Sequence, residues 1–375
     1  MKKSKILVTV VALVMLMCGC GAKKPQAPEG YQDLFKGGSF DEYMVWTTND
    51  EQYSDLISLL EYKCGLVLEG SFLVATDEKV IYAGGWNSIE TDGETRVNPF
   101  TTYEIGSLTK QFMAACILQQ VQAGNLSTDE TIDKYFPEFP YTSKITIDNL
   151  LHMDSGIVDY HNNPYAFFKN SGVNSRDKFE SGQMTDEEIV SFLNRTELDF
   201  EPGTKMEYCN TNYYLLALIL EQVTGQTYEE YMQKNVFDVC GMLNSTCCEV
   251  GNITSVPAKQ SGGVYMETAR GCRGAGDMHS NVSDILLWDR ALFGNKIIDS
   301  EQLEYMLEMR NGYSCGWMDM EGYIEHSGGT IAYSCLNTVI PVEGIGNVYV
   351  ITMIPNSEEY YFEVKFRNTV LEYFQ

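Results

Sequence analysis

The two ends of this chain alternate apolar and polar residues as strands do, whereas the middle carries the longer period of helices. Ser71–Thr76 and Lys79–Trp86 alternate around Asp77-Glu78, which indicates a tight hairpin. Further strand-like segments near the other end are Tyr313–Met318, Tyr323–His326, Ser334–Ile340 and Val348–Ile354. Because strands need partners for their backbone groups, the pattern predicts one antiparallel sheet built from both ends of the chain.

Helical periodicity fills the long middle of the chain and recurs once near each end. The predicted helices are Tyr53–Tyr62, the run ending near Gly124, Ile145–Met153, Thr185–Asn194, Tyr213–Thr224, Tyr228–Phe237, Asn281–Phe293, Glu301–Met309 and Glu358–Tyr373. The expected fold is α/β (α+β), in which terminal helices flank the sheet and a mainly helical lobe is inserted at about residues 125–295. We expect the functional site in the cleft between sheet and lobe.

The first twenty residues resemble an export signal. Lysines at positions 2, 3 and 5 precede an apolar run from Ile6 to Met17, which is short for a membrane span. Gly19-Cys20 then resembles the cleavage site of bacterial lipoproteins, and Cys18 is disfavoured because the bulky Met17 precedes it. The predicted organisation is a signal peptide at 1–19, a lipidated Cys20 with a tether at 20–40, and a globular domain at 41–375. This predicts an extracytoplasmic protein that meets the bacterial cell membrane through its lipid anchor.

The composition excludes several classes of partner. A formal net charge of −26 argues against nucleic acid and against docking on anionic lipid. Eleven cysteines occur without a C-x-x-C pair or zinc spacing, so we expect no metal and no other cofactor. Cys240 has Cys247 and Cys248 near it as disulfide partners, or all the thiols stay free. The sequence leaves this open, and it leaves the oligomeric state open as well.

A serine and a lysine stand three residues apart in the stretch Tyr103–Met113. Ser107 opens an apolar helical run, and Lys110 shares its helix face, so the two side chains can touch. A helix N-terminus favours the negative charge of an attacking oxygen, and a desolvated lysine can accept the hydroxyl proton. The sequence therefore predicts Ser107 as a nucleophile. A second copy, Ser175 with Lys178, lies in a polar stretch without apolar periodicity and is taken as a chance match.

Two later motifs complete the pattern. Tyr208-Cys209-Asn210 stands at the mouth of an apolar helix, and His326-Ser327-Gly328-Gly329 lies near the last strands. The order S-x-x-K, Y-x-N and basic residue-x-G resembles the serine β-lactamase and penicillin-binding protein family, in particular its branch of class C β-lactamases, DD-peptidases and esterases. The resemblance covers roughly residues 59–373.

The resemblance implies a role for each residue of the three motifs. Ser107 becomes acylated, while Lys110 and Tyr208 share the proton transfers. Asn210 binds a substrate amide and holds Lys110, and the N–H groups of Ser107 and Gly329 bind the oxyanion, with Gly328 beside the substrate. The implied substrate is a small molecule or a peptidoglycan-type peptide with an amide, ester or β-lactam carbonyl.

His326 departs from the lysine of classical β-lactamases and peptidases. Its unperturbed pKa of about 6.5 makes it mostly neutral at neutral pH, so a permanent cation for a substrate carboxylate is absent. This favours esterase or D-amino-acid amidase activity. If His326 acts as a catalytic group, activity should change across about pH 6–7.5.

Three alternatives to a hydrolytic Ser107 remain. The chain can be a penicillin sensor that is acylated without turnover, or a lipoprotein whose pocket has lost catalysis. Cys209 is a rival nucleophile, although no histidine is near it in sequence.

Overall fold

The computed structural model describes residues 25–64, 69–87, 97–161, 185–247, 272–330, 332–355 and 360–375. The predicted signal peptide and Cys20 lie outside these residues, as do Cys248, Ser175 and Lys178. Part of the predicted tether is described, and from Tyr31 onward it belongs to the packed body. The Tyr31 side chain is buried, and its hydroxyl donates to Asp284 at 2.7 Å.

Within the described ranges, eight strands form one antiparallel sheet and three short strands form a second sheet. In chain order the strands are β1 Gly38–Phe40, β2 Trp46–Thr48, β3 Glu69–Thr76, β4 Val80–Asn87, β5 Tyr103–Glu104, β6 Thr246–Cys247, β7 Met278–Ser280, β8 Met318–Asp319, β9 Ile324–Gly329, β10 Tyr333–Val342 and β11 Gly346–Pro355. The large sheet has the order β1-β2-β4-β3-β11-β10-β9-β8. Its centre pairs β3 with β11, so both ends of the chain build one sheet, as predicted from the sequence.

Helices cover both faces of the large sheet. In chain order they are α1 Ser54–Cys64, α2 Thr109–Gln122, α3 Ile147–Leu151, α4 Asp186–Leu193, α5 Asn210–Thr224, α6 Tyr228–Met232, α7 Val282–Phe293, α8 Ser300–Met306 and α9 Tyr360–Phe374. The predicted capping box of Thr185 and Glu188 opens α4. Beyond α6 the chain continues as a π-helical turn, Gln233–Phe237, and a last α-helical turn, Asp238–Cys240. Among the described helices, none has the length and apolar character that a bilayer span needs.

The central strands are buried on both faces, which makes two separate cores. On β3, Phe72 and Val74 pack with α1 and α9, whereas Leu73 and Ala75 face the core that contains α2 and α5. Alternation with a period of two therefore sends each set of side chains to a different layer. The candidate site lies on the α2 side.

The segment Tyr313–Met318 is not the predicted strand. Its backbone turns back on itself, with the Ser314 amide donating to the Trp317 carbonyl and the Gly316 amide to the Ser314 carbonyl. Only Met318 joins β8. Apolar alternation there comes from a turn whose side chains are buried beside α2, a situation that periodicity does not distinguish from a short strand.

Candidate active site

Ser107 lies in a 3-10 turn, Gly106–Leu108, that leads directly into α2. Gly106 has a φ of +52°, and a Cβ on it would lie 2.9 Å from the Gly329 backbone nitrogen. Only glycine satisfies both the left-handed conformation and this close approach. Ser107 is half-buried, whereas Lys110 is fully buried, so Ser107 is accessible to solvent and the amine lies behind it.

The Lys110 ammonium has three oxygen neighbours, which match its three donors. Its Nζ lies 2.9 Å from Ser107 Oγ, 2.8 Å from Asn210 Oδ1 and 2.6 Å from the Ala275 carbonyl oxygen. The amide and carbonyl oxygens accept hydrogen bonds only, so they retain two N–H donors in either charge state. When Lys110 is neutral, its lone pair is therefore directed at the Ser107 hydroxyl.

Burial makes the neutral form of this lysine accessible. It lowers the pKa of Lys110 to about 7, against the smaller opposing effect of the Asp159 carboxylate. An amine with such a pKa is a usable general base near neutral pH. The predicted contact of Ser107 with Lys110 is present.

Asn210 is held by a carboxylate that sequence reasoning missed. Both its backbone N–H and its side-chain Nδ2 donate to Asp159 Oδ2, at 2.9 and 3.0 Å. This fixes the amide so that Oδ1 points at Lys110. No local pattern marks Asp159, because its partner is 51 residues away.

Tyr208 lies against the amine with the face of its ring. The Lys110 Nζ is 4.8 Å from the ring centroid. The buried hydroxyl has no hydrogen-bond partner of normal geometry among the described residues, and Ser107 is the side chain near it that lowers its pKa. Burial dominates and raises the pKa of Tyr208 well above its ordinary value, so the phenol is protonated at rest.

The strand β9 passes the Ser107 turn in backbone contact. A Cβ on Gly328 would lie 1.9 Å from the Ile105 carbonyl oxygen and 3.3 Å from the Ser107 nitrogen. Gly329 is exposed, and a Cβ on it would meet no atom within 4 Å. The two backbones predicted to supply the oxyanion donors therefore lie side by side at the open end of the site.

His326 is present at the site but is buried rather than open to the cleft. Its Nδ1 lies 2.7 Å from the Ser327 carbonyl oxygen, and its Nε2 lies 3.3 Å from the hydroxyl of Tyr313. Burial, together with the nearby Lys110 charge, lowers the pKa of His326 to about 3. The expected titration of His326 across pH 6–7.5 is therefore reassigned to Lys110, whose pKa lies in that range.

Two cysteines, Cys209 and Cys315, are candidate nucleophiles by residue type, but both are buried. Cys209 is buried, its thiol donates to the Ile157 carbonyl at 3.2 Å, and burial raises its pKa to about 12. Cys315 lies 3.7 Å from His152 Nε2, whose Nδ1 lies 3.2 Å from an Asp148 carboxylate oxygen, but both residues have no exposed surface. The described cysteines, including Cys240 and Cys247, are free thiols.

The chain is similar to known proteins over most of its length. The family model described as Beta-lactamase matches residues 67–361. Penicillin-binding protein 4* of Bacillus subtilis (strain 168) is 27% identical over 301 residues, which cover 71% of this chain and 64% of that protein. Protein flp of Staphylococcus aureus is 30% identical over 191 residues, covering 50% of this chain and 36% of its own length. The chain thus spans about two thirds or less of these curated relatives.

A solved structure has the same fold. The D-amino acid amidase from Ochrobactrum anthropi SV3, complexed with D-phenylalanine, superposes with a TM-score of 0.67 at 22% identity. The alignment covers 85% of this chain and 98% of that chain. At this identity the likeness establishes the arrangement of sheet and helices.

Proposed function

The chain belongs to the beta-lactamase family, and from that premise we propose that it is a serine acyl-hydrolase that works through an acyl-enzyme on Ser107. The observation that carries the proposal is the position of the Lys110 amine. It lies 2.9 Å from the Ser107 hydroxyl, is buried, and is held by two further oxygens that leave its lone pair for that hydroxyl.

The chemistry follows from the proton positions. As Ser107 Oγ bonds to the substrate carbonyl carbon, its proton passes to neutral Lys110, and the carbonyl oxygen becomes an oxyanion held by the Ser107 and Gly329 N–H groups. Collapse breaks the bond to the leaving amine or alcohol, which takes a proton from Tyr208 while Lys110 returns one to the phenol. Water then attacks the acyl-enzyme carbonyl and gives one proton to neutral Lys110; the bond between the carbonyl carbon and Ser107 Oγ breaks, Lys110 returns that proton to Oγ, and the acid leaves.

The proposed substrate carries an amide, ester or β-lactam carbonyl on a small molecule or a peptidoglycan-type peptide. A neutral His326 supplies no fixed cation for a substrate carboxylate, and this favours esters and amides over substrates that end in a carboxylate. D-amino-acid amides are one such class, and the D-amino acid amidase shares the fold.

Active-site labelling tests the proposal. A fluorophosphonate and a fluorescent penicillin are each incubated with the wild type and with Ser107→Ala, and release of acid from ester and amide substrates is followed in parallel. Turnover with Ser107-dependent labelling is the expected result. A stable penicillin adduct without turnover would instead identify a sensor that acylates only, and absence of any Ser107-dependent label would contradict both.

We further propose that the protein is exported and anchored in the cell membrane by lipid on Cys20. The support is the basic start, the short apolar run and the Gly19-Cys20 pair. In a bacterial host fed an alkynyl fatty acid, the wild type should carry the label and sediment with membranes, whereas Cys20→Ser should lose both. Cys18→Ser is the matched control, and label that survives in Cys20→Ser contradicts the assignment.

A further inference from the structure

His326 makes two hydrogen bonds whose directions are fixed by chemistry. The Ser327 carbonyl oxygen, 2.7 Å from Nδ1, accepts only, so Nδ1 carries the proton. In a neutral imidazole the other nitrogen is then an acceptor. The Tyr313 hydroxyl, 3.3 Å from Nε2, must therefore be the donor of the second bond.

A second phenol competes with His326 for the proton of Tyr313. The phenol of Tyr213 faces it, and Tyr213 donates its own proton to the Leu151 carbonyl at 3.0 Å. An imidazole nitrogen is a better acceptor than a phenol oxygen, so the proton of Tyr313 goes to His326. Tyr313 has no exposed surface and His326 is 1% exposed, so water does not replace either partner of this hydrogen bond.

The hydrogen bond from Tyr313 to His326 also affects the geometry of the proposed catalytic residues. The rings of Tyr208, Tyr313 and His326 pack mutually, with centroids 5.9 to 6.0 Å apart. Tyr208 in turn lies against the Lys110 amine. Rotation of the His326 side chain would therefore displace the Tyr208 phenol, which faces Ser107.

We propose that Tyr313 is a positioning residue. Its hydroxyl donates to Nε2 of His326 and holds the imidazole ring in place, so that Tyr208 stays beside Ser107 and Lys110. This inference rests on the proposed acyl-hydrolase function. In this assignment His326 is a neutral, immobile residue that packs against Tyr208, and the proton transfers are carried out by Lys110 and Tyr208.

Nitrogen NMR of the full chain with 15N-histidine tests the assignment without any turnover. The chain has four histidines, and His326→Asn identifies the resonances of position 326. The wild type should show a proton on Nδ1 and a hydrogen-bonded, unprotonated Nε2. In Tyr313→Phe the Nε2 resonance should move toward that of a free acceptor. A proton on Nε2 in the wild type, or an unmoved resonance in the variant, overturns the proposal.

Acylation kinetics supply the functional half of the test. With a chromogenic ester, Tyr313→Phe should lower kcat about tenfold and leave KM within about twofold, because a buried acceptor loses its partner while the substrate contacts stay. Tyr305→Phe is the matched control, since that half-buried phenol donates to Asp148 instead and should behave as the wild type. Equal kcat in both variants overturns the positioning role.

Failure of the underlying function is recognisable separately. A wild type that no acylating reagent labels at Ser107 overturns the acyl-hydrolase, and the positioning role in acylation falls with it. The nitrogen resonances of that same wild type still decide whether Tyr313 pairs with His326.

Discussion

The large sheet has a buried ionisable side chain on each face, and only one of the two lies at a site. On the α2 face, Lys110 is held by Ser107, Asn210 and the Ala275 carbonyl. On the other face, Glu363 of α9 accepts from Ser334 Oγ at 2.5 Å and from Thr352 Oγ1 at 2.7 Å. Burial favours the neutral form of both groups. It lowers the pKa of Lys110 to about 7 and raises the pKa of Glu363 to about 7.

The difference lies in what surrounds each group. Both oxygens of Glu363 are satisfied by hydroxyls of the sheet, and the network is closed beneath a helix. One of the Lys110 partners, Ser107, is half-exposed and chemically reactive. A perturbed pKa therefore indicates burial, and it indicates function only when a reactive group in a cleft shares the hydrogen bond.

The largest expected effect is the difference between removing the hydroxyl of Ser107 on the α2 face and that of Ser334 on the other face of the sheet. Ser107→Ala should lower kcat/KM at least about 10³-fold with little change in the free energy of unfolding, because it removes the nucleophile from a half-exposed turn. Ser334→Ala should destabilise the protein by about 1–2 kcal/mol and leave activity per folded molecule unchanged, because it removes one donor from Glu363. Ester hydrolysis and urea unfolding of both variants make the comparison. Equal stability loss in the two would remove the distinction.

The next effect concerns the pH dependence of acylation. The rate should rise with pH through about 7, where Lys110 loses its proton. Asp159→Asn should shift this limb to lower pH, because the Asp159 carboxylate raises the pKa of Lys110 and its removal lowers it. Rates with a fluorophosphonate from pH 5 to 9 measure the shift. A limb that moves to higher pH, or that follows His326→Asn instead, would contradict the assignment.

Glu363 should act on stability rather than on rate. Its folded pKa of about 7 lies above its ordinary value of 4.5, so the stabilisation is complete below about pH 4.5 and is lost as pH rises through 7. Glu363→Gln should abolish this loss and be more stable than the wild type at pH 8 by roughly 2–3 kcal/mol. Urea unfolding at pH 5 and pH 8 checks it, with the ester assay unaffected as the control. A difference that does not change with pH would refute the role.

The smallest effect is expected at Cys209, inside the Y-x-N motif. Cys209→Ser should leave kcat within about twofold of the wild type, because the thiol donates to the Ile157 carbonyl and stays protonated, with its pKa raised to about 12. Ester turnover and iodoacetamide sensitivity of both proteins measure it. Loss of activity comparable to that of Ser107→Ala would restore the cysteine as a nucleophile.

Local patterns predicted much of this molecule. The capping box at Thr185, the turn that joins β3 to β4, and the contact of Ser107 with Lys110 depend on residues within about four positions of one another. The short strands β1 and β2 and the second sheet escaped prediction, since strands of two or three residues carry no readable period. The turn at Tyr313–Met318 misled for the opposite reason, because its buried side chains alternate as those of a strand do.

The chain by itself determined the class of fold and the order of the three motifs, and it indicated Ser107 and Lys110 as the proposed nucleophile and its amine. Tertiary structure alone decided that Asp159 fixes Asn210, that Tyr313 meets His326, and that His326 is buried and uncharged. The reason is physical: a hydrogen bond between neighbours on one helix follows from its pitch, whereas a pKa follows from everything packed around the group.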